Sequence, residues 1–151
     1  MDNDPFLVSR LLFTLVGFAI AVGPIFADFN KTHATNPLWT PHARFHVVWQ
    51  VLSQNGVSLV ILYLLGSGGP DHLAHIWIAA VLNYVWGASF YMTLASMPLY
   101  GGALKDVNGI KPFRFNIFGR VYLADTNLFG GTILMLLNTL GVWLLVTAQQ
   151  N

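Results

Sequence analysis

The chain has 151 residues, 55% of them hydrophobic and 9% charged, with a net charge of +1 and a mean hydropathy of +0.59. Soluble domains carry about 25% charged residues, so this composition excludes an ordinary soluble globule; it also excludes intrinsic disorder, which needs the opposite balance. The near-neutral charge, with no basic run, speaks against a nucleic-acid partner, and a chain without cysteine or glutamate has no thiolate ligand and must draw any carboxylate chemistry from aspartate.

An apolar stretch of about 20 residues is long enough to cross a bilayer as a helix. Four occur. The first, Phe6 to Ala27, follows an acidic start (Asp2, Asp4) and carries no cleavage motif, so it reads as a span and not as a signal peptide. Gly23-Pro24 predicts a kink or an early end. The second, Pro41 to Leu65, opens on Thr40-Pro41, an N-cap followed by proline in the first helical position, and closes at Gly66, Gly68, Gly69 and Pro70. The third runs from His75 to Met97, with Asp71 expected to cap it. The fourth runs from Leu123 to Val146, with Asp106 or Asp125 as cap candidates. No ten-residue stretches alternate as strands of a membrane barrel do. The expected architecture is all-α: one domain over residues 1–151, a polytopic membrane protein built as a four-transmembrane-helix bundle.

Lys31 and Arg44 fall in or beside the first loop, and Lys105, Lys111, Arg114 and Arg120 in the third. Only Arg10 lies at the other end. Positive charge marks the cytoplasmic side, so these two loops are expected there and both termini on the opposite face, in a membrane taken to be a bacterial inner membrane.

The polar residues concentrate in and after the first loop. His33, His42 and His46 fall within 14 residues of one another, and His42 and His46 are four apart at the start of a helix, the spacing of helical metal-ligand pairs. Gln50 and Gln54 continue the stripe, which is expected to face the bundle because an unsatisfied polar group in hydrocarbon costs several kcal/mol. Gln54 should lie roughly 20 Å into its helix. Asn83 and Asn138 fall at a similar depth, so the three amides are expected to link helices. Trp39, Trp77 and Trp143 fit an aromatic belt, whereas Trp49 and Trp86 are deeper and suit an apolar pocket or plain packing. Ala19-x-x-x-Gly23 and Gly130-Gly131 allow close helix approach.

Three readings of the first loop stand side by side. Asp28, His33, His42, His46 and Asp125 would ligate a divalent metal (zinc, iron, manganese or copper). The same residues would equally make a metal-free polar site, or simply bind loop backbone and lipid headgroups. Arg44 would pair with Asp28, orient an anionic substrate end bidentately, or mark topology. Asp125 would otherwise cap a helix. His72 and His75 lie on the opposite face and read as loop residues.

The run Asn30-Lys-Thr-His33, then Asn36-Pro37-Leu-Trp39-Thr-Pro41-His42-Ala-Arg44-Phe-His46, resembles a signature of small uncharacterised four-helix membrane proteins from bacteria and fungi. The resemblance implies the four-span layout and no activity. The architecture is also similar, more loosely, to emopamil-binding-like bundles, whose acidic residues have no counterpart here.

The leading functional expectation is a site at the cytoplasmic membrane face that binds a metal, an amphipathic small molecule, or both. If it is catalytic, His42 and His46 act as ligands or acid/base groups and Arg44 orients the substrate, with Trp49, Gln50, Gln54, Asn83 and Asn138 around the ligand. The rival is a non-catalytic accessory subunit of a larger membrane complex or homo-oligomer. A transporter is a third class, disfavoured because no inverted repeat is visible.

Overall fold

The structure, a computed structural model, describes residues 4–150. In chain order its elements are α1 (Leu7–Asp28), α2 (Pro41–Gly66), α3 (His72–Tyr100), β1 (Phe113–Ile117), β2 (Arg120–Ala124) and α4 (Thr126–Gln150). All four helices are long and apolar enough to cross a membrane. They form a ring in which α1 packs on α2 and α4, α3 closes the ring against α2 and α4, and α1 and α3 touch across the middle.

The burial pattern inverts that of a soluble bundle. Ser9, Ser58, Asn83 and Asn138 are buried inside, while Leu11, Leu15, Phe18, Leu59, Leu136 and Trp143 point outward. Such an arrangement is stable where the surroundings are apolar and the interior satisfies polar groups. A small apolar cluster of Phe13, Ile61, Leu65, Ile76, Ala79, Ala80 and Leu145 fills the remainder of the core.

Glycine lets the helices approach, though not at the small-residue pairs singled out from the sequence. Gly23 and Gly130 face open space, and Gly131 meets only Phe90 at ordinary contact distance. Tight contacts occur at Gly87, against the flexible Met135, at Gly17, against Ile61, and at Gly141, where an added Cβ would lie 2.6 Å from Cε1 of the rigid Phe13 ring. Phe13 is fully buried, so its ring has nowhere to go. Gly141→Ala is therefore expected to cost about 1–3 kcal/mol, the range for overpacking. Thermal unfolding in detergent reads this as a lowered midpoint; an unchanged midpoint would show that the ring yields.

Local signals explain most helix boundaries. Thr40 accepts a hydrogen bond from Ala43 N at 3.3 Å with Pro41 at the first position, and α2 stops at Gly66. Asp125 caps α4, its Oδ1 accepting from Asn127 N at 3.0 Å and Leu128 N at 3.1 Å. Asp71 precedes α3 but its side chain makes no cap. The α2–α3 turn is held instead by Ser67: His72 Nδ1 donates to its carbonyl, and His75 Nδ1 shares a hydrogen bond with its hydroxyl, both at 2.8 Å. Asp106 lies in the third loop, away from any helix start.

Three expectations need correction. Pro24 does not end α1, which continues to Asp28. Proline removes the hydrogen bond to the carbonyl four residues earlier, here Ile20. Gln54 Nε2 of α2 donates to that carbonyl at 3.5 Å, supplying a partner from the neighbouring helix. The third helix outruns Met97, passing Pro98 to end at Tyr100 before left-handed Gly101. The fold is also not purely helical. Leu123 and Ala124, assigned above to the fourth span, belong to β2, which pairs antiparallel with β1 from Phe113↔Ala124 to Ile117↔Arg120. Phe118 and Gly119 turn the hairpin with φ of 50° and 78°.

Candidate functional site

The loops between α1 and α2 and between α3 and β1 meet at one end of the bundle. Asn36, fully buried, joins them. Its side chain and that of Asn108 form a reciprocal amide pair, each Nδ2 donating to the other's Oδ1 at 3.0 Å. Asn36 Nδ2 also reaches Asp106 Oδ2 at 3.3 Å and Thr32 O at 2.9 Å, while its Oδ1 accepts from Leu38 N at 3.0 Å. Trp39 Nε1 donates to the Asp106 carboxylate. That bond, then the one from Val107 N, holds the Asp106 carboxyl below the usual aspartate range. Asn30 braces the first loop by donating to the last carbonyls of α1, Phe26 O at 2.8 Å and Ala27 O at 2.9 Å.

Two cavities adjoin this clasp. One, of about 20 Å3, is lined by His33, Lys105, Asp106, Asp125, Thr126 and Asn127 among others and has room for little more than a water. The other is an open groove of about 620 Å3. Gly23, Phe26 and Ala27 of α1 form one wall; Asn30, Thr32, Asn108 and Lys111 from the two loops form its rim. The two cavities share Gly109, Ile110 and Thr126.

The proposed metal ligands do not assemble. Asp28 Oδ1 lies 3.5 Å from His33 Nδ1, which shares a hydrogen bond with Thr32 Oγ1 at 2.8 Å. His42 and His46 form a separate pair, Nε2 to Nε2 3.0 Å, and Asp125 is occupied as the α4 cap. Among the described residues no three His or Asp side chains are placed to hold one ion. The pair His42–His46 by itself offers two imidazoles toward one ion.

Nor does the histidine stripe face the bundle. His42, His46, Trp49 and Gln50 are exposed, and His42, Phe45, His46 and Trp49 form a run of ring contacts on the outside of α2. The reason is helical geometry. Residues four apart are offset by about 40°, so a row of them winds slowly around the helix. His42 starts the row outside, and only Gln54, three steps on, reaches the α1 contact. Trp49 lines neither of the two cavities above.

Arg44 is half-buried, its Nε enclosed without a partner among the described residues, and Asp28 pairs with His33 instead. Asn83 Nδ2 donates to Asn138 Oδ1 at 3.1 Å and to Phe13 O at 3.3 Å; Asn138 Nδ2 donates to Ala80 O at 3.2 Å. These two amides join α1, α3 and α4 in the core, and Gln54 stands apart from them. All three lie away from both cavities.

Of the residues that build the clasp, the sequence offers Asp106 as a helix-cap candidate, Asn36 as part of the first-loop run and Trp39 as an interfacial aromatic, and it singles out nothing at Asn108. Asn36-Pro37 and Asp106-Val-Asn108-Gly109 are turn signals, but nothing local pairs them across 70 residues of chain. Comparison with family models, curated proteins and solved structures gave no match for this chain.

Proposed function

We propose that the protein is an integral membrane protein that holds an amphipathic small molecule in the groove beside the clasp, at the cytoplasmic membrane face. The observation that carries this reading is that the two cavities are neighbours, sharing Gly109, Ile110 and Thr126 in their walls. An open groove walled by Gly23, Phe26 and Ala27 runs up to a rim of amides, hydroxyls and Lys111, and then to the polar cavity at His33 and Asp125. Apolar lining with a few convergent polar groups is the usual chemistry of a small-molecule site. A ligand's apolar part would lie along α1 and its polar end at Asn30, Thr32 and Lys111. The helix end provides apolar surroundings, and the loops provide water and hydrogen bonds, so both halves of such a ligand are solvated. His42 and His46 are exposed on α2 and line neither cavity.

The test is purification in mild detergent, extraction into organic solvent and mass spectrometry. One amphipathic species retained at close to one per chain is the expected result. A groove holding only the added detergent would overturn the proposal.

A further inference from the structure

The hairpin between α3 and α4 is held at its base and free at its tip. Phe113 and Phe115 place their ring centroids 5.4 and 5.3 Å from that of Phe129 on α4, and Thr126 Oγ1 donates to Lys111 O at 2.7 Å. Beyond this anchor the side chains lose their partners. Ile117, Val121, Tyr122 and Leu123 are at least half exposed, and Phe118 at the turn is 102% exposed. Phe118 also adopts a left-handed backbone, φ 50°, which bulky residues avoid and Asn or Gly accept. Nothing within the chain compensates for placing phenylalanine there.

Charge indicates what the tip meets. From Val107 to Ala124 the chain carries Lys111, Arg114 and Arg120 and no acidic residue. Arg114 and Arg120 are exposed and make no ion pair among the described residues. Register places them on opposite faces of the ribbon, since Ile117 pairs with Arg120 while Arg114 alternates with Ile117's side. Five residues of strand reach roughly 17 Å, so the tip stays close to the end of α4. The surface within that reach is the one α3 and α4 cross.

We propose that the β1–β2 hairpin docks on anionic lipid headgroups of that membrane, with Phe118 inserted as an apolar wedge and Arg114 and Arg120 on the phosphates. This rests on the helices spanning a bilayer. Basic side chains beside a membrane helix are attracted to an anionic leaflet, and aromatic rings favour the headgroup level.

The chain has no cysteine, so a single introduced one can carry a spin label. Asn116→Cys, exposed beside the turn, is labelled in vesicles of phosphatidylcholine with and without phosphatidylglycerol. Shielding from a water-soluble nickel chelate, together with access to oxygen, is expected when phosphatidylglycerol is present. The shielding should be lost with Phe118→Asn, which suits the turn better and so preserves the hairpin while removing the wedge. Arg114→Gln/Arg120→Gln should reduce it to the level in neutral vesicles. A label open to the chelate in both lipids, or shielding indifferent to Phe118→Asn, overturns the proposal and directs the tip to a protein instead. Leu136→Cys, exposed halfway along α4, separates the premises. If that label is shielded while the hairpin label is not, only the docking fails; if both are open, the membrane reading fails too.

Discussion

Gly23→Trp is expected to empty the groove and leave the bundle folded. Gly23 lines the groove from α1, and a Cβ built there meets no atom within 4 Å. The indole therefore grows into the space the ligand would fill, without forcing a helix apart. Replacing glycine inside a helix recovers part of its backbone cost, about 0.5–1 kcal/mol relative to alanine, and the clash of a new Cβ with the Pro24 ring offsets this, so stability should stay near the parent's. Ligand retained through purification is expected to drop by about tenfold or more, corresponding to at least ~1.4 kcal/mol of binding. Mass spectrometry of the extract reads the loss, and a thermal midpoint near that of the parent shows that it is local. Undiminished ligand in a well-folded Gly23→Trp protein would place the binding site elsewhere.

Asn36→Leu should damage the structure itself. The substitution keeps the number of side-chain heavy atoms and the branching at Cγ, and removes every polar atom of the one side chain that satisfies Asn108, Thr32 O and Leu38 N together. A buried group left without its partner costs roughly 1–3 kcal/mol. Part of this is recovered because the Asp106 end is open to water, so a loss of about 2–4 kcal/mol is expected. Unfolding in detergent measures it, and limited proteolysis should cut first within residues 29–40 and 101–112. Pairing it with Asn108→Leu provides a sharper check. Once both members of the amide pair are apolar, neither is orphaned, and the double variant should be less unstable than the two single losses added. Simple additivity would show that the two amides do not act as a pair.

The sequence made the helices legible because their signals are local. Thr40-Pro41 and Gly66 delimit α2 through capping and backbone chemistry that needs no tertiary partner. The hairpin was hidden for a local reason as well. The apolar residues Leu123 and Ala124 run into those of α4, so length and hydropathy merge strand with helix; only Asp125, as cap, marks the division. The site was hidden for a different reason. Histidine is conspicuous at positions 42 and 46, yet its direction depends on which side of α2 meets α1, and that is set by Val51, Ser58, Ile61 and Leu65 further along. Asn83 and Asn138 were matched by depth because both sit on straight helices, a one-dimensional problem. The Asn36–Asn108 pairing is a contact between two loops, which depth along a helix does not address. Gln54 was drawn away from those amides by Pro24, whose effect on the carbonyl of Ile20 is invisible until the helices are set side by side.

The clasp has a consequence for the order of events during synthesis. Asn36 emerges early, but its partners Asp106 and Asn108 follow only after two complete helices have been made. Until then the first loop has no mate, and the buried amide of Asn36 must rely on water. The groove closes later still, because its wall includes Thr126 at the start of the last helix. A nascent chain that stops after α3 therefore has the surface of α1 that the ligand would lie against but no enclosure to retain it. On the proposed function, loading would follow the arrival of α4, so occupancy of the groove would report that the chain has been made through Thr126 and its loops assembled.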